Sequence, residues 1–305
     1  MSGTPAWRAE RTVGAGEAAA LIEARFPDLR GAPVEPLATG WDNTVHLVGG
    51  EWIFRFPRRE VVLPGLRREI AYLPRLAPRL PLAVPVPEHV GEPGEDFPWP
   101  FWGARIIPGR ELAEAPAATA AQDVRVAREL GAFLRALHDP ALAAEAGAGL
   151  PYDPLRRGDP AVRAPRARTD LDALAEQGLW TPDPAVLDAL DAGERSGAPD
   201  GSVVCHGDLH IRHLLVQDGH ATGVIDWIDL CLGDPALDLS LAYSGFAGPA
   251  RAALLEAYGE VTAGSEAAAR VLAIFLCGAL ARYAADEGHL RLLEAALAGI
   301  GRAAR

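Results

Sequence analysis

Residues 204–229 read VCHGDLHIRHLLVQDGHATGVIDWID. Apolar runs alternate here with polar turns: VVC leads into His206-Gly207-Asp208, HLLV into Gln217-Asp218-Gly219, and GVI into Asp226. Short apolar runs bounded by Gly and Asp read as buried strands joined by turns. Asp208 then follows one strand, His213 lies five residues on, and Asp226, 18 residues beyond Asp208, follows another. Two carboxylates and an imidazole so placed can converge on one point. Phosphoryl transfer asks for such a set, with one carboxylate to take the proton of an attacking hydroxyl and hard ligands to hold magnesium on a triphosphate.

Working outward, the 305-residue chain is 49% hydrophobic and 23% charged, the profile of a soluble globular protein of one large or two modest domains. That excludes a disordered, collagenous or coiled-coil chain. The formal net charge of −12 disfavours a nucleic-acid partner, which would need its phosphates neutralised. No apolar stretch is expected to reach the roughly 18 residues that span a bilayer, and the start MSGTPAWRAERTVGAG lacks the apolar core of a signal peptide. A cytoplasmic protein with no membrane partner is the expectation, monomeric or weakly dimeric. Cys205, Cys231 and Cys277 are too few and too widely spaced for a disulfide framework or a zinc site. All 29 basic residues are arginine, so any chemistry that needs a lysine ammonium is ruled out.

Toward the amino terminus, VEPLAT, TVHLV and EWIFRF read as three strands, the last two joined at Gly49-Gly50 as a hairpin. LRREIAYLPRLAPRL places Leu66, Ile70, Leu73 and Leu76 at helical spacing, and Pro74 predicts a kink or an early end. PLAVPVPEHV and FPWPFWGARII suggest two more strands. Beyond residue 104 the pattern turns helical: Val126, Leu130, Phe133, Leu134 and Leu137 share one face, two modest helices fit residues 139–200, and a helical tail runs from about 248 to 304. Charge divides unevenly, −2 up to residue 104 and −10 after it. An acidic second half suits a cationic small molecule.

The 204–229 segment resembles the catalytic loop and metal-binding segment of the aminoglycoside phosphotransferase family, whose pattern is H-G-D-x-H-x-x-N followed by I-D-W or I-D-F. GWDNTVHLV resembles that family's nucleotide-covering loop, RREIAYL its first helix, FWGARIIPGREL its hinge and LGAFLRALHD the helix after it. The likeness is greatest to the aminoglycoside 2″- and macrolide 2′-phosphotransferase branches. It implies an α+β, bilobal, protein-kinase-like fold: a β-rich nucleotide-binding lobe over 1–104, a hinge at about 105–110, and a mainly helical catalytic and substrate-binding lobe over 105–305.

Carried over by position, the resemblance makes Asp208 the catalytic base and Asp226 the principal magnesium ligand. His213 stands where the family has asparagine; a softer donor, it either ligates the second metal or reaches it through water. Arg55 takes the place of the phosphate-gripping lysine, with Glu69 as its partner, and Asn43 and Thr44 face the phosphates of ATP or GTP. The base would lie along the backbone near Arg105, Ile106 and Ile107. His206 and His210 orient the loop, and Asp234 and Asp238 brace it. His210, Asp229, Tyr283, Asp286 and Glu287 are candidates for the acceptor side. The implied reaction is magnesium-dependent phosphorylation of a hydroxyl on a small-molecule antibiotic, an aminoglycoside first and a macrolide second. A kinase for choline, homoserine or a sugar, and a nucleotide-binding pseudokinase, are the alternatives.

Overall fold

Gly49 and Gly50 adopt φ of +60° and +72°, the left-handed values that a tight turn between two strands requires. The computed structural model in which they are seen describes residues 9–40, 42–115, 119–146 and 149–305. The first eight residues and Trp41 of the expected nucleotide-covering loop lie outside the described residues.

After helix α1 (Ala15–Arg25) come β1 (Val34–Thr39), β2 (Asn43–Val48), β3 (Trp52–Pro57), α2 (Leu63–Leu76), β4 (His89–Gly91) and β5 (Phe101–Arg105). The strands form one antiparallel sheet in the order β1-β2-β3-β5-β4. Val48, Phe54, Phe56 and Phe101 pack with Ala18, Leu21 and Ile22 of α1 in a single core, and the Phe56 and Phe101 rings stack at 4.6 Å. Burying such side chains contributes roughly 1.5–3 kcal/mol each.

Two expectations need correction. α2 runs through Pro74 and ends only at Leu76. So close to the carboxy-terminal end the proline forfeits a single helical hydrogen bond, and its ring is exposed. The run PLAVPVPEHV supplies only the short β4, because Pro81, Pro85 and Pro87 cannot donate to a ladder.

The rest of the chain contributes β6 (Arg110–Glu111), α3 (Ala120–Leu137), α4 (Pro140–Ala146), α5 (Pro160–Glu176), α6 (Pro184–Ser196), β7 (Val203–Cys205), β8 (Leu214–Gln217), β9 (His220–Val224), β10 (Cys231–Gly233), α7 (Ala236–Gly245), α8 (Gly248–Tyr258), α9 (Ala263–Glu287) and α10 (Leu290–Ala303). Three helices therefore occupy 139–200 where two were expected. β6, β8 and β9 make a small antiparallel sheet, and β7 pairs with β10.

α9 corrects the expectation about apolar stretches, since its 25 residues are long and apolar enough to cross a bilayer. It is the central helix of its unit instead: 61% of its most apolar window is buried, and it packs against α5, α6, α7 and α10.

The chain divides into two compact units, one comprising Met1–Pro78 and Val84–Ile107, the other Arg79–Ala83 and Pro108–Arg305. A boundary at 104 alone would put residues 79–83 in the first unit. They belong to the second because Ala83 donates to the Thr222 carbonyl (3.3 Å) and accepts from the Val224 N–H (2.9 Å).

Candidate active site

The loop after β7 is shaped by one glycine and one buried carboxylate. Gly207 has φ +87°, and a Cβ there would lie 2.3 Å from the Asp229 carbonyl oxygen, so no other residue fits. Asp238 on α7 is fully buried; its Oδ2 accepts the His206 N–H at 2.8 Å and its Oδ1 the Gly207 N–H at 3.0 Å. His138 Nε2 lies 3.0 Å from the same Oδ2. Burial alone would raise the Asp238 carboxyl's pKa, but these bonds hold it below the ordinary value.

His206 ties this loop to the end of β9. Its Nδ1 accepts the Asp208 N–H (3.2 Å), so Nε2 carries the proton and donates to the Ile225 carbonyl (2.9 Å). Burial lowers its pKa to about 4, which keeps the ring neutral. Asp226, the next residue, has φ +68°, a conformation that a non-glycine residue keeps only when its surroundings enforce it. Asp208 and Asp226 therefore stand on one hydrogen-bonded frame.

His213 completes the set. Its Nδ1 can only donate to the Asp208 carbonyl oxygen, 2.8 Å away, so in the neutral ring Nε2 presents a lone pair. That Nε2 is 3.5 Å from Asp226 Oδ2. Two electron-rich atoms facing each other at this distance suit a divalent cation between them. Asp226 supplies the hard oxygen that magnesium prefers, and His213 a softer nitrogen that suits it less well than an amide oxygen would, so the carboxylate is the stronger half of the pair. The His210 ring lies on that of His213 with centroids 3.7 Å apart, and burial holds its pKa well below 6.5.

The residue that sequence reading missed is Arg157, in the loop before α5. Its Nη1 donates to the Gly207 carbonyl (2.7 Å) and to Asp229 Oδ2 (2.6 Å), and its Nη2 is 3.3 Å from Asp208 Oδ1. Asp153 positions it by accepting the backbone N–H groups of Arg157 and Gly158, each at 2.8 Å. Burial works against the cation, but Asp208 and Asp229 outweigh it and raise its pKa. Burial also pushes the Asp208 carboxyl up to about 6, against the pull of Arg157 and His213. Its side chain nonetheless keeps 21% of its surface exposed, so a substrate can reach it. Asp229 is thus the partner of Arg157.

On the remaining side of the cluster the Arg212 guanidinium lies 5.9 Å from the Tyr283 ring and pairs with Glu111 at 2.9 Å. Tyr283 is therefore brought toward the His210–His213 segment. Asp286 and Glu287 lie further on, exposed at the end of α9, and neither side chain has a hydrogen bond or ion pair among the described residues.

In the first unit, Arg55 Nη1 meets Glu69 Oε1 at 3.1 Å, and Glu69 Oε2 also accepts Trp102 Nε1–H at 3.3 Å. Glu69 is fully buried. Asn43 and Thr44 are buried on β2, and Asn43 Oδ1 and Thr44 Oγ1 have no hydrogen-bond partner among the described residues. Unpaired buried polar atoms are costly, so a hydrogen-bonding ligand would relieve both. The Ile106 N–H donates to the Glu51 carbonyl at 2.8 Å, which leaves its carbonyl as the backbone group it could offer a ligand. The Ile107 N–H has no such partner among the described residues.

One unit thus carries Asp208 beside the facing Asp226 and His213 side chains, and the other a buried arginine–glutamate pair on the sheet that holds two orphaned polar atoms. The sequence matches the phosphotransferase enzyme family over residues 33–272, and the chain belongs to that family. Among solved structures it is similar to an aminoglycoside 2'-phosphotransferase-IIIa in its GDP complex, at 21% identity over 95% of this chain and 98% of that one, with a TM-score of 0.66. A macrolide 2'-phosphotransferase from Brachybacterium faecium is 25% identical over 94% of this chain and 97% of its own, with a TM-score of 0.58. The α+β, protein-kinase-like architecture is thus that of this family. An uncharacterised protein of Bacillus subtilis (strain 168), YcbJ, is 43% identical over 61 residues, a stretch that spans 20% of either chain.

Proposed function

We propose that the protein transfers the γ-phosphoryl group of ATP or GTP to a hydroxyl of a small molecule, with magnesium as cofactor. The observation that carries this reading is the placing of Asp208, reachable by substrate and anchored on the same frame as the Asp226–His213 pair, whose facing atoms are 3.5 Å apart. Asp208 orients the acceptor hydroxyl and takes its proton. The new bond joins that oxygen to the γ-phosphorus as the bond to the bridging oxygen breaks, and nucleoside diphosphate leaves. Asp226 and His213 would hold magnesium, which neutralises charge on the phosphates. Arg55, set by Glu69, grips those phosphates, and Asn43 and Thr44 turn their polar atoms to them.

Antibiotic hydroxyls are the first acceptors to try, since similar structures are aminoglycoside and macrolide phosphotransferases. One feature weighs against a polycation: Asp208 and Asp229, the carboxylates an ammonium group would seek, already face the Arg157 guanidinium. The test is nucleotide turnover with magnesium and either ATP or GTP against kanamycin, a macrolide and choline. Stimulation with a phosphorylated product supports the reading. Nucleotide binding without any turnover, with or without acceptor, favours a pseudokinase.

A further inference from the structure

Beside Asp208 lies a pocket whose charge opposes that of its surroundings. It has a volume of about 510 Å³ and is lined by Arg156, Arg157, Arg163 and Arg166, with Val162 and Phe275 among its apolar walls. None of its lining residues is acidic. Arg157 is common to both places, since it lines the pocket and also pairs with Asp208. The volume is within the range of small-molecule sites, roughly 300–1,000 Å³.

The four guanidinium groups are unequally compensated. Arg156 pairs with Asp159, and Arg157 with Asp208 and Asp229. Arg163 and Arg166 have no ion pair among the described residues. Arg163 is only 4% exposed, and its Nε is buried with no hydrogen-bond partner. Its Nη2 donates to the Leu155 carbonyl, and its guanidinium lies 5.0 Å from the centre of the Phe275 ring. Burial lowers its pKa to about 10, with the charges of Arg157 and Arg166 acting in the same direction and those of Asp153 and Asp208 opposing. A buried cation kept beside like charges is costly unless an anion joins it. On α5, Arg163 and Arg166 are three residues apart and so share a face, where two planar forks can grip one oxyanion.

We propose that this pocket is an anion subsite for the acceptor: the molecule phosphorylated at Asp208 carries, besides its hydroxyl, a carboxylate or phosphate group held by Arg163 and Arg166. The inference rests on the phosphotransfer reading above and names its substrate class. Val162 and Phe275 would cover the carbon body, while Arg157 stands between the bound anion and the reactive carboxylate.

Titration calorimetry on the full chain, with magnesium and ADP filling the nucleotide site, tests it. The probes are D-gluconate for a carboxylate and D-glucose 6-phosphate for a phosphate, with D-glucose and kanamycin as neutral and cationic controls. One anion or both should bind while the controls do not, and Arg166→Glu, a change at an exposed position, should weaken that binding at least about tenfold. Arg163→Gln should weaken it too, and gives a second reading because it keeps a donor for Leu155. The proposal is overturned if neither anion binds better than D-glucose, or if binding is unmoved in both variants. Magnesium-dependent nucleotide turnover measured on the same samples separates the two claims. Absent turnover with anion binding intact removes the phosphotransfer reading and with it the acceptor role, leaving only an anion-binding pocket, and turnover with no anion binding removes the subsite alone.

Discussion

Arg55 and Arg157 each face carboxylates, yet they are held in opposite ways. Arg55 is carried by a central strand of the first unit, across from Val45 on one side and Trp102 on the other, and its partner Glu69 is completely buried. Arg157 is carried by a loop, and its partners Asp208 and Asp229 keep 21% and 23% of their side-chain surface exposed. A carboxylate that only positions a cation can be walled in by an aromatic ring, as Glu69 is by Trp102. One that must meet a substrate hydroxyl cannot. On the proposed function, the contrast separates the holding of phosphate from the chemistry on the acceptor.

Breaking the walled-in pair should have the largest effect on stability. Glu69→Ala removes the carboxylate facing Arg55 and a hydrogen bond to Trp102 inside the core, and it should cost about 3–5 kcal/mol in urea denaturation. A loss below about 1 kcal/mol would show that the pair is more open to water than its geometry implies. Arg157→Ala should be milder in stability and plainer in kinetics. With the loop carbonyl of Gly207 released, kcat should fall by about tenfold to a hundredfold. The pH profile sharpens this. In the proposed role Asp208 takes a proton only when ionised, so activity should fall as pH drops through about 6, and removing the neighbouring cation favours the protonated form. The acid limb of kcat/KM should therefore move to higher pH in Arg157→Ala. An unmoved limb would reduce Arg157 to a structural brace.

The same contrast explains what could be read from the sequence. Arg55 and Glu69 were legible through the family resemblance, which names a cation on the third strand and a carboxylate on the helix that follows; here they stand 14 residues apart, on a strand and a helix whose patterns are regular enough to align. Asp208, His213 and Asp226 were legible because the apolar runs between them are strands that end at the same place. Arg157 belongs to no period. Its placement depends on Asp153, on the left-handed Arg156 at φ +50° and on the pairing of β7 with β10, all of them long-range or irregular. A signal was present nonetheless: five arginines fall within 156–168, in the acidic half of the chain. Reading that half by its net charge of −10 hid them. Spacing along the chain likewise does not say that the Ile106 N–H is already used by Glu51 or that Asp286 and Glu287 stand exposed at a helix end.

The absence of lysine also gains a structural meaning. If the third strand grips phosphate, as proposed, the grip must be an arginine here, and the guanidinium of Arg55 brings a planar fork where an ammonium would bring a point charge. It stacks over Trp102, its Cζ 5.4 Å from the ring centre, while keeping Glu69 within 3.1 Å.

The most direct test of the central claim is nucleotide turnover by Asp208→Asn, compared with the wild-type chain under magnesium and the better of ATP and GTP. The amide fills the carboxylate's space but cannot take a proton, so turnover should fall by about 10²–10⁴-fold while nucleotide affinity stays within about threefold. Turnover near the wild-type level would contradict the account and remove Asp208 from the chemistry.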